Sequence, residues 1–281
     1  MPELPELEVV RDVLQKRVVG QRIERVELIQ PGAAIVVRDL TGLGVESALA
    51  GASIVAVARR GKFLVFNCAT NDGPRTITIN PKLSGRLQLA TAADKRMAKT
   101  HVVLSISGGQ QLRYVDQKQM GQIYLSRAAP ADAGIPDFAD LGPEPLDVSL
   151  DDFRQRLRKF QGEIKGILVR GEFVAGIGNA YADEILWEAR LHPYRKRASL
   201  SAAEIAQLYD AIRRTLIEAT EQVRTEMGER IHLKPRDFLK VHMKRDQPCP
   251  RCGGVISEVS ANQRITNFCR TCQPGGLLRG M

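Results

Sequence analysis

Four of the five cysteines in this 281-residue chain stand in two pairs, Cys249-Pro-Arg-Cys252 and Cys269-Arg-Thr-Cys272, with sixteen residues between them. Each CxxC turn lets two thiolates reach one ion, and two such turns complete a four-sulfur zinc site with Zn–S of about 2.3 Å. Sulfur at all four positions leaves no place for substrate or activated water, so the spacing predicts one structural Zn2+. The alternatives are four reduced cysteines without metal, or a redox CxxC, but neither pair has the βαβ surroundings of a thioredoxin-like motif. Between the pairs, Val255–Val259 and Ile265–Phe268 read as strands around a polar tip, Ser260-Ala261-Asn262-Gln263-Arg264. Taken alone, Arg264 is either a solvated turn residue or an arginine presented to a nucleic-acid groove.

Five cysteines are too few for a disulfide scaffold, and the first residues, MPELPELEVV, lack the basic-then-apolar layout of a secretory signal, which suggests a reducing cytoplasm. No apolar stretch approaches the ~18–20 residues that span a bilayer, so no membrane role is expected. The formal charge is +9, and it is unevenly placed. Residues 190–281 hold 17 Lys/Arg against 9 Asp/Glu, while residues 1–189 hold 24 against 23. A basic last third suggests an anionic partner without naming it.

After an opening helix, residues 22–126 carry short β-type runs at Arg22–Gln30, Ser53–Ala58, Phe63–Cys68, Arg75–Asn80, His101–Ile106 and Gln122–Leu125. Gly, Asn and Asp punctuate them, a pattern that argues for an antiparallel sandwich or barrel. Residues 127–150 are rich in Pro, Ala and Asp without a period and read as a linker. Helical texture follows: a segment capped by Ser149, another over Gly162–Val169, one over 179–190, and a long one over 202–226. The expected fold is α+β: an N-terminal helix plus antiparallel β-sandwich (1–130), a linker (131–150), a helical domain (151–240) and a zinc-ribbon hairpin (241–281).

The opening Pro2-Glu3-Leu4-Pro5-Glu6-Leu7-Glu8 begins a helix with Leu7, Val10, Leu14 and Val18 as its apolar stripe and Gly20 as its stop. Prolines and acids suit a first helical turn, which is a sufficient structural explanation. A chemical reading stands beside it. Removal of Met1 leaves Pro2 with a free secondary amine titrating near ~8, nucleophilic at physiological pH. Glu3 adjoins it and Glu6 shares its helix face. An amine beside two carboxylates suits Schiff-base chemistry at a sugar C1′ followed by proton abstraction.

At this point the sequence resembles the formamidopyrimidine-DNA glycosylase and endonuclease VIII family. PELPELE is similar to that family's catalytic signature, in its formamidopyrimidine branch. Arg59-Arg60-Gly61-Lys62-Phe63 resembles the segment of the catalytic lysine, Ser84-Gly85 the Met-Ser-Gly loop, and Leu141-Gly142-Pro143-Glu144-Pro145-Leu146 the linker. Gly176-Ile-Gly-Asn179 through Leu186, then His192-Pro193, is similar to the helix–two-turn–helix module, and the cysteine quartet to the zinc finger. The resemblance implies catalytic Pro2, Glu3, Glu6 and Lys62, with Lys62, Asn179 and Arg264 also on DNA. On its own, Lys62 reads as a solvated strand-end charge. The partner implied is damaged double-stranded DNA, bound by a monomer.

Departures gather at lesion recognition. The residues matching the family's void-filling Met, Arg and Phe are Leu83, Lys118 and Met120. Leu83 and Met120 remain able to wedge a base step, but Lys118 lacks the planar donor fork of arginine. Asn80 replaces a histidine, Arg170-Gly171 replaces Asp-Gln, and His242-Met243-Lys244 replaces Tyr-Gly-Arg. Thr220–Lys240 lacks the Gly-Gly-Ser/Thr stretch that opens the lesion-capping loop. The expectation is a bifunctional glycosylase/AP lyase of base excision repair acting through Pro2 by β,δ-elimination. Its substrate would be a formamidopyrimidine, oxidised pyrimidine or abasic site rather than 8-oxoguanine. The alternative is a slow or silent binder of damaged DNA with the same fold.

Overall fold

The computed structural model describes residues 1–261 and 264–275. The chain divides into two compact units, residues 1–140 with 223–235, and residues 141–222 with 236 onward.

The first unit begins with α1 (Leu4–Arg17), whose buried Leu7, Val10 and Leu14 are the stripe read from the sequence, with Val18 as its buried C-cap. Gly20, at φ 82, takes the left-handed conformation that turns the chain away. Then come β1 (Ile23–Leu28), α2 (Gly32–Val36), β2 (Val37–Asp39), α3 (Val45–Leu49), β3 (Ser53–Arg60), β4 (Phe63–Thr70), β5 (Gly73–Asn80), β6 (Gly85–Thr91), β7 (Thr100–Ile106), β8 (Gln110–Asp116) and β9 (Gln122–Ser126). They form a four-stranded sheet, β1-β7-β8-β6, and a five-stranded sheet, β2-β9-β5-β4-β3. Phe66, Ile77 and Leu125 of one sheet and Leu87, Leu104 and Leu112 of the other line a common interior, which makes this a sandwich. The α1 helix lies on β3, where Gln15 Oε1 accepts the Val57 N–H at 2.9 Å.

The expected sandwich is present, with one difference in pairing and three unforeseen strands. The β2–β9 pair is parallel, not antiparallel. Strands β2, β6 and β8 were not anticipated. In β8 the buried set includes Gln111, Arg113 and Asp116, so apolar alternation fails there. Arg113, fully buried, donates to Gln111 Oε1 at 2.9 and 2.7 Å and to the Thr91 carbonyl at 2.6 Å.

The second unit holds α4 (Leu150–Arg158), α5 (Ile164–Leu168), α6 (Asn179–Glu188), the body of α7 (Ala202–Met227) and the hairpin β10 (Ile256–Ala261) and β11 (Arg264–Cys269). Ser149 caps α4 as expected, its Oγ accepting the Asp152 N–H at 3.1 Å. Phe153 packs on Phe173 and Tyr209 to make the aromatic core of this unit. The buried Glu184 carboxylate of α6 accepts the backbone N–H groups of Lys240, Val241 and His242 at 2.8, 2.9 and 2.8 Å. Burial raises its pKa and those three N–H groups oppose the rise. The polar hairpin tip at Asn262-Gln263 lies outside the described residues.

Gly142 has a packing reason to be glycine: a Cβ there would overlap the carbonyl oxygens of Glu172 and Phe173, both backbone atoms. Gly166, inside α5, faces open space. In urea unfolding, Gly142→Ala is expected to destabilise by about 1–3 kcal/mol. Gly166→Ala is expected to stabilise by about 0.5–1 kcal/mol. Equal midpoints for the two variants would contradict this packing.

Candidate active site and nucleic-acid interface

Glu3 is the N-cap of α1, in extended conformation at φ −118° and ψ −170°. Glu6 Oε2 accepts the Glu3 N–H at 2.8 Å, and the Glu3 carboxylate accepts the Glu6 N–H in return. This capping box buries both acids, at 2% and 1% exposure. Glutamate is not among the residues that ordinarily cap helices, so capping alone does not explain its presence at position 3. Pro2 is buried beside them and, with Glu6, lines a cavity walled mainly by Leu7, Val10, Leu64, Ile79, Met227 and Ile231. Arg86, Tyr114 and Lys234 supply its other polar lining. Sequence reading missed these three. Tyr114 and Lys234 stand 112 and 232 positions from Pro2, and no motif links them. Burial, reinforced by the nearby Asp116 carboxylate, raises the pKa of the Tyr114 hydroxyl, which remains a donor.

Lys62 stands in the two-residue turn between β3 and β4, after Gly61 with φ 55. Glycine at the first central position suits the II′ turn of a tight hairpin. Arg59 ties this tip to α1: its Nε pairs with Glu8, and its Nη1 donates to the Gly61 carbonyl at 3.0 Å.

Leu83 and Met120 are 42% and 52% exposed, and Lys118 is also exposed. The structure brings their loops together, for the Lys118 N–H donates to Ser84 Oγ at 3.0 Å. Asn80, one of the departures read from the sequence, uses its Oδ1 to accept the Lys82 N–H at 3.2 Å.

In the second unit, Asn179 is the first residue of α6 and its Nδ2 donates to the Ile265 carbonyl at 2.7 Å. Arg264, exposed, is the neighbouring residue at the start of β11. The buried Lys165 ammonium reaches the same Ile265 carbonyl at 2.9 Å and Thr266 Oγ1 at 2.8 Å, and pairs with Asp183 at 2.6 Å. Asp183 also accepts from His242 Nδ1 at 2.8 Å and the Asn267 N–H at 3.2 Å. Sequence reading overlooked Lys165 and Asp183, although Asp183 follows Asn179 by one helical turn.

The four cysteine sulfurs lie within 4.8 Å of one another, with Cys249 and Cys272 at 3.8 Å and Cys252 and Cys269 at 3.5 Å. Burial opposes ionisation of Cys249, but the Trp187 indole N–H, at 3.3 Å, and the Arg251 and Cys252 backbone N–H groups outweigh it and bring the thiol down to about 6. Burial and the neighbouring sulfurs push Cys272 up to about 12. Sulfurs this close do not all ionise unaided, and a shared divalent cation is the group that offsets their charge. The quartet therefore fits the structural zinc that its spacing predicts. Among the described residues no helix is long and apolar enough to cross a membrane.

Comparison with known proteins covers nearly the whole chain. Residues 1–123 match the profile of the formamidopyrimidine-DNA glycosylase N-terminal domain, residues 141–229 that of the formamidopyrimidine-DNA glycosylase H2TH domain, and residues 246–275 that of the zinc finger found in FPG and IleRS. A formamidopyrimidine-DNA glycosylase of Symbiobacterium thermophilum is 39% identical, over 98% of this chain and 90% of its own length. Lactococcus lactis Fpg bound to Fapy-dG-containing DNA superposes with a TM-score of 0.83 at 32% identity, covering 97% of this chain and all of its own. The same enzyme bound to DNA containing an abasic site gives the same figures.

The purified protein is expected to carry one zinc per chain by elemental analysis, and Cys252→Ser or Cys269→Ser to lose it. Trp187, the sole tryptophan, donates to a ligand sulfur, so chelation should also shift its fluorescence. Zinc-free protein with an unchanged melting curve would contradict the assignment.

Proposed function

The chain belongs to the formamidopyrimidine-DNA glycosylase family, and from that premise we propose that it is a bifunctional enzyme, excising a damaged base through the Pro2 amine and cleaving the strand at the resulting site. The observation that carries this reading is the burial of Pro2 against the Glu3–Glu6 capping box, on the wall of a largely apolar cavity. Once Met1 is removed, Pro2 carries a secondary α-amine, which titrates near ~8 in the ordinary case and whose nitrogen offers a lone pair when neutral. That nitrogen attacks C1′ of an extruded nucleotide. The N–C1′ bond forms, the bond from C1′ to the base breaks, and the base leaves with a proton. Glu3 moves protons during base loss and ring opening, as a carboxyl group in a dry site is suited to do. The resulting iminium acidifies C2′; loss of that proton expels the 3′ phosphate, and a second elimination expels the 5′ phosphate. Glu6 orders the site by holding the Glu3 N–H. The zinc, when bound, contributes folding energy to the hairpin and takes no part in the reaction.

Lys62 at its hairpin tip and Asn179 at the N-terminus of α6 are assigned to phosphates, and exposed Arg264 to a groove. Leu83, Lys118 and Met120 fill the space left by the extruded base. The substrate assigned is a formamidopyrimidine, oxidised pyrimidine or abasic site in preference to 8-oxoguanine. Where relatives carry a glycine-rich capping loop, residues 228–235 make a short turn tied to the first unit. Ile231 is buried there, the His232 carbonyl accepts from Arg86 at 3.3 Å, and Glu229 pairs with Arg17 at 2.8 Å.

Borohydride should trap the Met1-processed protein on duplexes containing an abasic site, and Pro2→Gly should abolish the adduct. Glu3→Gln should slow base excision by about 10²–10⁴-fold. An equal adduct from Pro2→Gly would remove Pro2 from this role. In a lesion panel, formamidopyrimidines should be excised faster than 8-oxoguanine, with little dependence on the opposite base because Lys118 is not a planar fork. A preference for 8-oxoguanine, or rates differing by large factors between opposite bases, would overturn the substrate assignment.

A further inference from the structure

The loops that carry Leu83 and Lys118–Met120 are far apart in sequence and adjacent in the fold for a topological reason. Strands β5 and β9 pair in one sheet, with Asn80 opposite Gln122, and β6 and β8 pair in the other, with Gly85 opposite Asp116. The chain therefore crosses between the sheets twice at the same edge of the sandwich, through residues 81–84 and 117–121. Each crossing contains a non-glycine residue with positive φ, Lys82 at 45° and Gln119 at 53°. Such backbones persist only where the surroundings hold them.

Asn80 Oδ1 holds the Lys82 N–H and Ser84 Oγ accepts the Lys118 N–H, and one carboxylate joins the two crossings into a single frame. Asp116, at 0% exposure, accepts on Oδ1 from Ser84 Oγ–H of the first crossing and from the Lys118 N–H of the second, the latter at 3.2 Å. On Oδ2 it accepts the Gly121 N–H at 2.7 Å and the Tyr114 hydroxyl at 3.3 Å. Its backbone carbonyl faces His101 Nε2 at 2.9 Å. The packing beneath is equally tight: a Cβ on Gly85 or on Gly121 would overlap the Tyr114 hydroxyl, so the glycine that follows the first crossing and the one that ends the second close over the same atom. This buried polar frame supports two exposed apolar tips, Leu83 and Met120. Half-exposed tips contribute little to the core, so the frame's rigidity serves something outside it.

We propose that Asp116 is a positioning residue that locks the Leu83 crossing to the Lys118–Met120 crossing, so that both enter the base stack as a single wedge. This rests on the reading of Leu83, Lys118 and Met120 as void-filling residues and adds the group that sets their spacing. Asparagine at 116 offers one acceptor and a donor in place of two acceptors, so it can no longer accept from both the Lys118 crossing and the Gly121 N–H, and the bond it loses is one that joins the crossings to the frame. A wedge loosened by about 1 Å is expected to act much more slowly, as misplacements of that size cost up to ~10²-fold in rate.

The experiment uses the full zinc-loaded chain with 2-aminopurine beside the lesion, so that extrusion is read by fluorescence independently of chemistry. Asp116→Asn should slow the fluorescence rise and base excision together by about tenfold. It should leave borohydride trapping unchanged on an abasic site in an unpaired bubble, where nothing needs wedging. In a Leu83→Ala, Met120→Ala background it should add nothing. Extrusion at the wild-type rate, or an equal loss on the bubble substrate, would overturn the proposal. Should Asp116→Asn fail to fold, Ser84→Ala decides in its place: slowed extrusion with intact bubble trapping supports the lock, and wild-type extrusion refutes it. If the wild-type protein forms no adduct at all, the lyase reading fails while the fluorescence still tests the wedge.

Discussion

Two carboxylates are buried at the first turn of α1, and each is satisfied by the other residue's backbone N–H. Burying a charged acid is costly, and a helix N-terminus is one of the few places where free N–H donors and the positive end of the peptide dipoles offset the cost. That reciprocal pair fixes the chain direction at residue 3 and with it the place of Pro2. Much of the first unit is arranged around this turn. The α1 stripe seats it on β3, Arg59 ties the Lys62 hairpin back to Glu8, and Val223–Pro235 closes on the same unit through Ile231 and the Arg17–Glu229 and Arg224–Asp12 pairs.

The second unit solves a different problem. A two-stranded hairpin has too little apolar surface to hold itself together, and four cysteines sharing one zinc replace the missing core. A polar network then fixes the hairpin to α6. Lys165 and Asn179 meet at the Ile265 carbonyl, Asp183 receives the Asn267 N–H, and Trp187 places its indole N–H on Cys249. Arg264 begins the strand that these contacts hold.

What could be read from the sequence was what local spacing specifies. The two CxxC pairs, the α1 stripe and the Ser149 cap each depend on residues a few positions apart. The strands that escaped were those whose burial is polar. In β8 the inward Gln111, Arg113 and Asp116 imitate an exposed segment, because hydrogen bonds rather than apolar contacts stabilise them there. Nothing in the local sequence singles out Asp116, because its partners Ser84 and Gly121 are brought to it by the two crossings between the sheets. Lys234 and Arg86 were invisible for a similar reason: the cavity they share with Pro2 is assembled by the fold from five separate segments.

The arrangement stands or falls on which atom reacts. Borohydride-trapped complex made with abasic DNA can be digested with nuclease and trypsin and the modified peptide sequenced by mass spectrometry. A buried, cap-fixed Pro2 predicts the sugar remnant on the N-terminal nitrogen of the peptide spanning residues 2–11. A remnant on Lys62 or Lys234, with the N-terminal peptide unmodified, would contradict it.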